Sequence, residues 1–347
     1  MSDMTRRAFG RTGLLGMAGL AVADPGKISP FAQGADAGAA PSYRYIHLDV
    51  FTDRRMEGNQ LFVFTQPAGL DTDTMQTMTR ESNLSECTFV FPPEAVGTDH
   101  RVRIFTRTAE TPFAGHPTIG TAFALAHAGV LKSGQTRTTF GLGVGPIKLD
   151  LDWKDGRLAF AWMTQINPTF GKTVTDSAAL AAALGLDPAM VRLKPDTTRD
   201  AVPAGQEVNC GSNFFIIPLP TRKAVDAAVI DRAKVDAVFA AAGIQRRGIY
   251  AFSVEQAPDG ATAYSRLLPS GGIEDPATGS AVGPAGCFAA KYGFVPRERI
   301  GAMTFLQGVL ARRPSRLHVK VVMAGADVTS IQVGGASVVV GEGSMEV

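Results

Sequence analysis

Two short stretches decide the fold: His116-Pro117-Thr118-Ile119-Gly120-Thr121-Ala122 and Asp275-Pro276-Ala277-Thr278-Gly279-Ser280-Ala281. They align without gaps at an offset of 275 − 116 = 159 residues. The same offset places Arg107 on Arg266, and each arginine closes a strand-like run. Because the match extends over strand, loop and helix start, it predicts two homologous units in one chain.

Each stretch has a polar residue directly before a proline, and proline is favoured at the first position of a helix. We therefore predict helices over 117–128 and 276–292. Asp275 would be a common N-cap of its helix, and His116 a less usual one. Helix capping by itself would account for this pattern, so other features must support a site.

Small residues near the two predicted helix starts favour ligand binding. Gly115 precedes one start, and Gly279 and Ser280 lie in the first turn of the other. The free backbone N–H groups and the dipole of a helix N-terminus attract anions. Two such starts facing each other across a cleft would bind a carboxylate and stabilise negative charge that develops during a reaction.

A proton-transfer site also needs a base, and Glu86 is the candidate. It lies among Ser, Cys and Phe residues where a predicted helix gives way to a strand. Burial at such a junction would raise the pKa of the carboxyl toward the range useful for acid–base catalysis. A glutamate on the solvated surface is the alternative interpretation of this residue.

The remaining pattern mixes strands with helices and predicts an α/β or α+β protein with few long parallel βαβ units. Asp71 should cap a helix over 71–83. Further helices are predicted over 177–184 and 224–242, strands over 43–51, 61–65, 87–91, 101–105, 213–218, 249–254 and 261–267, a β-rich tail over 303–340 and an exposed loop over 194–205.

Composition excludes several classes of protein. The 347 residues suffice for two domains, and a hydrophobic content of 45% supports a large core. A net charge of +2 without a basic run argues against nucleic-acid binding. The three cysteines, Cys87, Cys210 and Cys287, form neither a complete disulfide framework nor a metal-binding spacing. We expect buried free thiols and no metal.

The N-terminus predicts export. Thr5-Arg6-Arg7-Ala8-Phe9-Gly10 is a twin-arginine start, followed by an apolar stretch over 14–23 that is too short to span a bilayer. Ala35-Asp36-Ala37 offers a cleavage site. We therefore assign residues 1–40 to a signal and linker. We expect a periplasmic protein without a membrane anchor, with a cytoplasmic location as the alternative.

At these residues the chain resembles the phenazine-biosynthesis isomerase family, the PhzF-like proteins, over nearly its whole length after the signal. The most specific matches are Phe113-Ala114-Gly115-His116-Pro117-Thr118-Ile119-Gly120 and Glu274-Asp275-Pro276-Ala277-Thr278-Gly279-Ser280-Ala281. Gly58-Asn59, Ser82-Asn83-Leu84-Ser85-Glu86 and Gln307-Gly308 also fit, in the right order.

The resemblance implies an α+β, diaminopimelate-epimerase-like fold with two pseudo-symmetric lobes, each a curved sheet around a central helix. We expect an N-terminal lobe over 41–157, with about 330–347 as the candidate segment that completes it, and a C-terminal lobe over 158–329. It also implies a homodimer and a small acidic substrate, with neither a metal nor a flavin nor pyridoxal phosphate as cofactor. The implied catalytic residues are Glu86, His116 and Asp275, and the implied substrate-binding residues are Gly115, Gly279, Ser280 and Asn59.

Three functions remain open on the sequence. An isomerase would use Glu86 to take a proton from one carbon and return it to another. A non-catalytic periplasmic protein that binds small acids would keep the cleft without the chemistry. An amino-acid epimerase is the third possibility. Related epimerases have cysteines at the positions of His116 and Asp275, so their absence here disfavours a two-thiol racemase.

Overall fold

The computed structural model of the chain describes residues 41–191 and 202–347. The predicted export signal over 1–40 and most of the predicted loop over 194–205 therefore lie outside the described residues. Within the described ranges, no helix combines the length and the apolar character needed to cross a bilayer.

The first half of the described chain contains eight strands and two helices. Its predicted strands are confirmed to within two residues, and a two-residue strand is added before the second helix. The elements are β1 (Ser42–Val50), β2 (Asn59–Phe64), α1 (Thr72–Ser82), β3 (Glu86–Phe91), β4 (His100–Thr106), β5 (Glu110–Thr111), α2 (Gly115–His127), β6 (Arg137–Leu142), β7 (Gly145–Lys154) and β8 (Arg157–Thr164).

The described residues of the second half form nine strands, four helices and two short 3-10 turns. Its elements are β9 (Thr169–Val174), α3 (Ser177–Ala183), a 3-10 turn (Pro188–Met190), β10 (Gly205–Asn209), β11 (Asn213–Pro218), α4 (Arg222–Ala227), α5 (Arg232–Ala242), β12 (Gly248–Ser253), β13 (Ala263–Leu268), α6 (Gly279–Lys291), a 3-10 turn (Arg297–Arg299), β14 (Met303–Gln307), β15 (Ser315–Ala324), β16 (Asp327–Gly335) and β17 (Ser337–Glu346).

Strand pairing repeats between the halves. In the first, β2 and β3 pair in parallel, β3 and β4 antiparallel, β4 and β6 in parallel, and β6, β7 and β8 successively antiparallel. In the second, β11 to β16 repeat this series of parallel and antiparallel pairs, with α6 in the place of α2. The predicted repeat is confirmed at the level of topology, and the fold is α+β with a mixed sheet.

The two halves are joined by strands as well as by the chain. Strands β8 and β16 pair antiparallel. The last strand, β17, returns from the second half to pair with β1. The final strand of the chain is therefore hydrogen-bonded to the first, so the C-terminal residues take part in the sheet of the first half.

Helices α2 and α6 are the most buried helices. Eleven of the thirteen residues of α2 and twelve of the thirteen residues of α6 are buried. Both helices are rich in Gly and Ala, and a helix that is apolar on all sides belongs inside a core. Each therefore forms the centre of its half, with its N-terminus available for a site.

The two central helices do not begin where the prolines predicted. Helix α2 begins at Gly115, two residues earlier, and α6 begins at Gly279, three residues later, with Thr278 at its N-cap position. Asp275 is therefore not the N-cap. Its carboxylate instead accepts hydrogen bonds from the Asn59 amide and the Thr278 hydroxyl.

The equivalence of His116 and Asp275 is also wrong. The helix starts are 279 − 115 = 164 residues apart, so Gly115 corresponds to Gly279. The contact between the two glycines, each packed against the other, supports this correspondence. A Cβ atom on Gly115 would lie 2.4 Å from Gly279 Cα, and a Cβ atom on Gly279 would lie 3.0 Å from Gly115 Cα. The gapless alignment missed the longer loop before α6.

The prediction of one continuous helix over 224–242 is wrong, because the structure has two separate helices there, α4 and α5. Between them, Val229 N–H donates to the Leu184 carbonyl at 2.9 Å, and Asp231 N–H donates to the Ala183 carbonyl at 2.9 Å. The Asp231 side chain then caps α5 by accepting from Lys234 N–H. Hydrogen bonds to the end of α3 thus replace the helical turn that propensity favoured.

Candidate active site

A cavity of about 260 Å³ lies where the N-termini of α2 and α6 meet. It brings together six of the seven residues that the sequence singled out, and the seventh, Asn59, is hydrogen-bonded to two of them. The lining residues are Ser85, Glu86, Ala114, Gly115, His116, Phe214, Leu267, Asp275, Thr278, Gly279 and Ser280. Both halves of the chain therefore contribute to one cavity.

The close approach of the two helices depends on glycine. A Cβ atom on Gly115 would meet the Gly279 carbonyl carbon and Cα at 2.4 Å and Ser280 N at 2.5 Å. On the other side, Phe51 fills the space beside Gly279, since a Cβ atom there would lie 2.8 Å from its Cζ. The backbone contact leaves no room for a side chain at either helix start.

The first residues of both helices line the same cavity. The first N–H groups of a helix have no acceptor within the helix. Those of Gly115, His116, Gly279 and Ser280 belong to cavity-lining residues. None of the described residues that line the cavity is a lysine or an arginine. A bound anion would therefore meet neutral donors and two positive dipole ends.

Replacing Gly115 by alanine is expected to impair both stability and activity. The new methyl group overlaps backbone atoms, which cannot rotate away, so we expect a loss of about 1–3 kcal/mol in the free energy of unfolding. Displacing two helix starts by about 1 Å is expected to lower kcat/KM by about 100-fold. Denaturant unfolding and steady-state kinetics check these values.

The matched control for this change is Gly301→Ala. Nothing lies within 4 Å of a Cβ atom at Gly301, which is outside the cavity. The control should behave like the wild type in both measurements. Wild-type kinetics of the Gly115→Ala variant would contradict the assignment of the helix contact to the site.

Glu86 and His116 form the closest pair of titratable groups in the cavity. Glu86 Oε2 lies 3.3 Å from His116 Nδ1, and their side chains are 17% and 3% exposed. Burial, with a smaller contribution from the negative charge of Asp275, raises the pKa of Glu86 to about 8. Burial lowers the pKa of His116 to about 3, against an opposing hydrogen bond with the Gln60 backbone. At neutral pH the contact joins two predominantly neutral groups, not an ion pair.

Asp275 reaches the cavity from the second half of the chain. Its Oδ1 accepts from Asn59 Nδ2 at 2.6 Å, and its Oδ2 accepts from Thr278 Oγ1 at 2.6 Å. Burial raises the pKa of Asp275 to about 6, while these two donors act in the opposite direction. Asn59 Nδ2 also lies 3.1 Å from His116 Nδ1 and so connects the two sides of the cavity.

The site thus contains two carboxyl groups in different electrostatic environments. At neutral pH the Glu86 carboxyl is predominantly protonated and Asp275 is predominantly ionised. Pairs of acids whose pKa values are separated by their surroundings are typical of acid–base catalysis. The arrangement can hold a small anion and move a proton beside it.

Sequence patterns did not identify the apolar wall of the cavity. Phe214 belongs to β11 and Leu267 to β13, and both also line the cavity. Each looked like an ordinary alternating position of a predicted strand. Their distance in sequence from Glu86 left no signal that they share a cavity with it.

None of the three cysteines lines the cavity. All three cysteines are buried and free, and Cys210 and Cys287 have their sulfur atoms 4.0 Å apart. Within residues 41–191 and 202–347, no group of three or more His, Cys, Asp or Glu side chains is arranged to hold a metal ion.

Comparisons with known proteins agree with this geometry. Residues 48–343 match the model of the family described as phenazine biosynthesis-like protein. The chain is 33% identical over 310 residues to the trans-2,3-dihydro-3-hydroxyanthranilate isomerase of Pseudomonas aeruginosa, covering 87% of this chain and 98% of that enzyme. It is 32% identical over 312 residues to an uncharacterized isomerase of Mesorhizobium japonicum, with the same coverage of both chains.

The fold is also similar to that of a solved structure. The crystal structure of a PhzF-family phenazine biosynthesis protein from Bacillus anthracis superposes with a TM-score of 0.75, at 23% identity, covering 88% of this chain and all of that one. At this identity the match concerns the fold alone. Together with the sequence matches, it establishes that the chain belongs to the phenazine biosynthesis-like family and is an isomerase of the PhzF type.

Proposed function

We propose that this protein is a cofactor-independent isomerase that moves a proton within a small carboxylic acid bound between the starts of α2 and α6. Glu86 takes the proton from one carbon and returns it to another. His116 and Asp275 assist the transfer and orient the substrate. Gly115, Gly279, Ser280 and Asn59 complete the binding site.

The observation that carries this proposal is the position of Glu86. Its side chain is 17% exposed and lines a cavity that is also lined by the residues of two helix starts. A base must reach the proton that it abstracts, and a pKa near the working pH favours proton transfer in both directions. The pKa of about 8 fulfils the second condition.

The helix starts would stabilise the anion formed when the proton leaves carbon. Negative charge that spreads from the reacting carbon into a carboxylate would face the N–H groups of Gly115 and Ser280. Preorganised donors of this kind stabilise such charge without reorganising during the reaction. Phe214 and Leu267 would cover the apolar face of the substrate.

The cavity volume limits the substrate to a small molecule, and the neutral donors favour an acid. The name of the Pseudomonas aeruginosa relative supplies the first compound to test, trans-2,3-dihydro-3-hydroxyanthranilate. A panel of other small unsaturated acids and amino acids would separate a double-bond shift from epimerisation, because only the latter inverts a chiral centre.

The test incubates each acid with the protein in D2O, with a chelator present and without added cofactor. We expect at least one acid to give an isomer of unchanged composition or to exchange a C–H hydrogen with solvent. Saturable binding of acids without either change would contradict the proposal and favour the non-catalytic binding protein. The named isomerases among the relatives count against that alternative.

The pH dependence of kcat/KM gives a second check. If Glu86 must be ionised to accept a proton, kcat/KM should rise about tenfold per pH unit and level off near pH 8, since the carboxyl is neutral below its pKa. A profile measured from pH 5 to 10 would show this limb. A plateau that begins at pH 5 would mean that no base with a raised pKa is required.

A further inference from the structure

A buried amide lies behind Asp275 and is not part of the cavity wall. Gln307 is the last residue of β14 and is fully buried. Its Nε2 donates to the Asp275 carbonyl at 2.9 Å and to Thr278 Oγ1 at 2.9 Å. Its Oε1 accepts from Thr278 N–H at 3.1 Å and lies 3.0 Å from the Tyr250 hydroxyl. Every hydrogen-bonding position of the amide is therefore in use.

These partners fix the direction of each hydrogen bond. A backbone N–H can only donate, so the atom facing Thr278 N–H is the amide oxygen and the opposite atom is the nitrogen. Because that nitrogen only donates, the Thr278 hydroxyl must accept from it. The single hydrogen of this hydroxyl then points to Asp275 Oδ2, 2.6 Å away.

We propose that Gln307 is a positioning residue: it holds the Thr278 hydroxyl as a permanent donor to Asp275 and so keeps Asp275 the ionised carboxylate of the site. It does this without touching the cavity. By binding the Asp275 carbonyl and the Thr278 N–H together, it also fixes both ends of the turn that carries the carboxylate. The catalytic consequence rests on the proposed function, whereas the effect on Asp275 does not.

The surroundings of Asp275 favour its protonated form. Burial is the main cause, and the negative charge of Glu274 adds to it, although Glu274 is paired with Arg266 at 2.8 Å. Glu86 from β3, His116 from α2 and Tyr250 from β12 are the other titratable groups nearby, and Glu86 and His116 are predominantly neutral at neutral pH. The Thr278 hydroxyl is the largest opposing influence on the pKa of Asp275. Glu86 contacts the His116 ring instead and keeps the higher pKa.

The test replaces the hydroxyl by a methyl group of similar shape in Thr278→Val. The titration of the Asp275 carboxyl is followed by ¹³C NMR in the ligand-free protein, with the signal assigned by its loss in Asp275→Asn. We expect the titration midpoint to rise by about one pH unit, because the ionised form loses a donor. Gln307→Met should raise it in the same direction. The double variant should show no larger shift than Thr278→Val, because Gln307 acts through Thr278.

Thr262→Val is the matched control. Its hydroxyl is also buried and accepts from Thr304 N–H at 3.0 Å, away from Asp275. It should lower stability without moving the Asp275 midpoint, as a merely structural hydroxyl would. An unchanged midpoint in Thr278→Val, or additive shifts in the double variant, would overturn the proposal. If Gln307→Met does not fold, Gln307→Leu takes its place, because leucine likewise removes the donor to the Thr278 hydroxyl; an unchanged midpoint in that variant would also overturn the proposal.

The NMR measurement needs no turnover, so failure of this inference is distinguishable from failure of the proposed function. If the reaction also needs ionised Asp275, kcat/KM should fall more steeply below about pH 6, and this steeper part of the profile should move to higher pH by the same amount in Thr278→Val. A profile that keeps its position while the NMR midpoint moves would show that Asp275 ionisation does not limit the reaction and would overturn the catalytic part of the inference.

Discussion

Replacing Glu86 by glutamine is expected to reduce turnover by about 10²–10⁴-fold, the usual contribution of a positioned general base, because the amide cannot take a proton from carbon. The substitution keeps the size and the hydrogen-bonding reach of the side chain. Substrate binding should therefore persist, since the helix starts and the apolar wall remain. Isomer formation measured with saturating substrate checks the rate, and calorimetry checks the binding.

Glu81→Gln is the matched control for this experiment. Glu81 is exposed, lies in α1 five residues before Glu86 and does not line the cavity. The same chemical change there should leave kcat and KM at wild-type values. Full activity in Glu86→Gln would contradict the assignment of Glu86 as the base, whatever the control shows.

The same variant is expected to be more stable than the wild type at alkaline pH. The pKa of Glu86 is raised in the folded protein from 4.5 to about 8, so the folded state binds the proton more tightly than the unfolded state. Below pH 4.5 the carboxyl is neutral in both states. Between pH 4.5 and 8 the unfolded chain ionises first, and the relative stability of the folded wild type falls.

Above pH 8 the glutamate is ionised in both states, and the folded wild type carries the full cost of the buried charge. Glutamine never ionises, so the variant does not carry this cost. A shift of this size corresponds to about 3–5 kcal/mol in the free energy of unfolding. Urea unfolding of both proteins at pH 5 and pH 9 measures it. The difference between them should be small at pH 5 and should favour Glu86→Gln at pH 9. A constant difference would mean that Glu86 has an ordinary pKa in the folded protein.

Local sequence signals predicted the local structure well. Asp71 caps α1 by accepting from Thr74 N–H at 2.7 Å, and Asn83 ends the helix in the left-handed conformation. Glu86 lies at the junction between α1 and β3, as expected. These features depend on neighbours in sequence, which a local pattern contains.

The structure brings the predicted site residues together, but the sequence did not predict how they are connected. The proline pattern gave Asp275 the role of a helix cap, whereas a tertiary hydrogen bond from Asn59 and a local one from Thr278 hold it before the helix. Gln307 supports that turn from a strand some 30 residues away, and no local pattern predicts such a contact. The lengths of the loops also hid the correspondence of Gly115 with Gly279.

Phe51 shows another limit of sequence patterns. It has a left-handed backbone with a φ of 65°, which a bulky residue adopts only when its surroundings impose it. Its backbone N–H donates to the Ala336 carbonyl at 2.9 Å, and its ring packs beside Gly279. A glycine would have been the expected residue for that conformation, so propensity alone gave no indication of this packing role.

The central claim is that burial in this cavity raises the pKa of the Glu86 carboxyl to near the working pH, so that the group can take a proton from a bound acid and return it. The most direct measurement is the ¹³C NMR titration of the Glu86 carboxyl in the ligand-free protein, assigned by its absence in Glu86→Gln. The structure predicts a midpoint at about pH 8. A midpoint near 4.5, the value of a solvated glutamate, would contradict the claim.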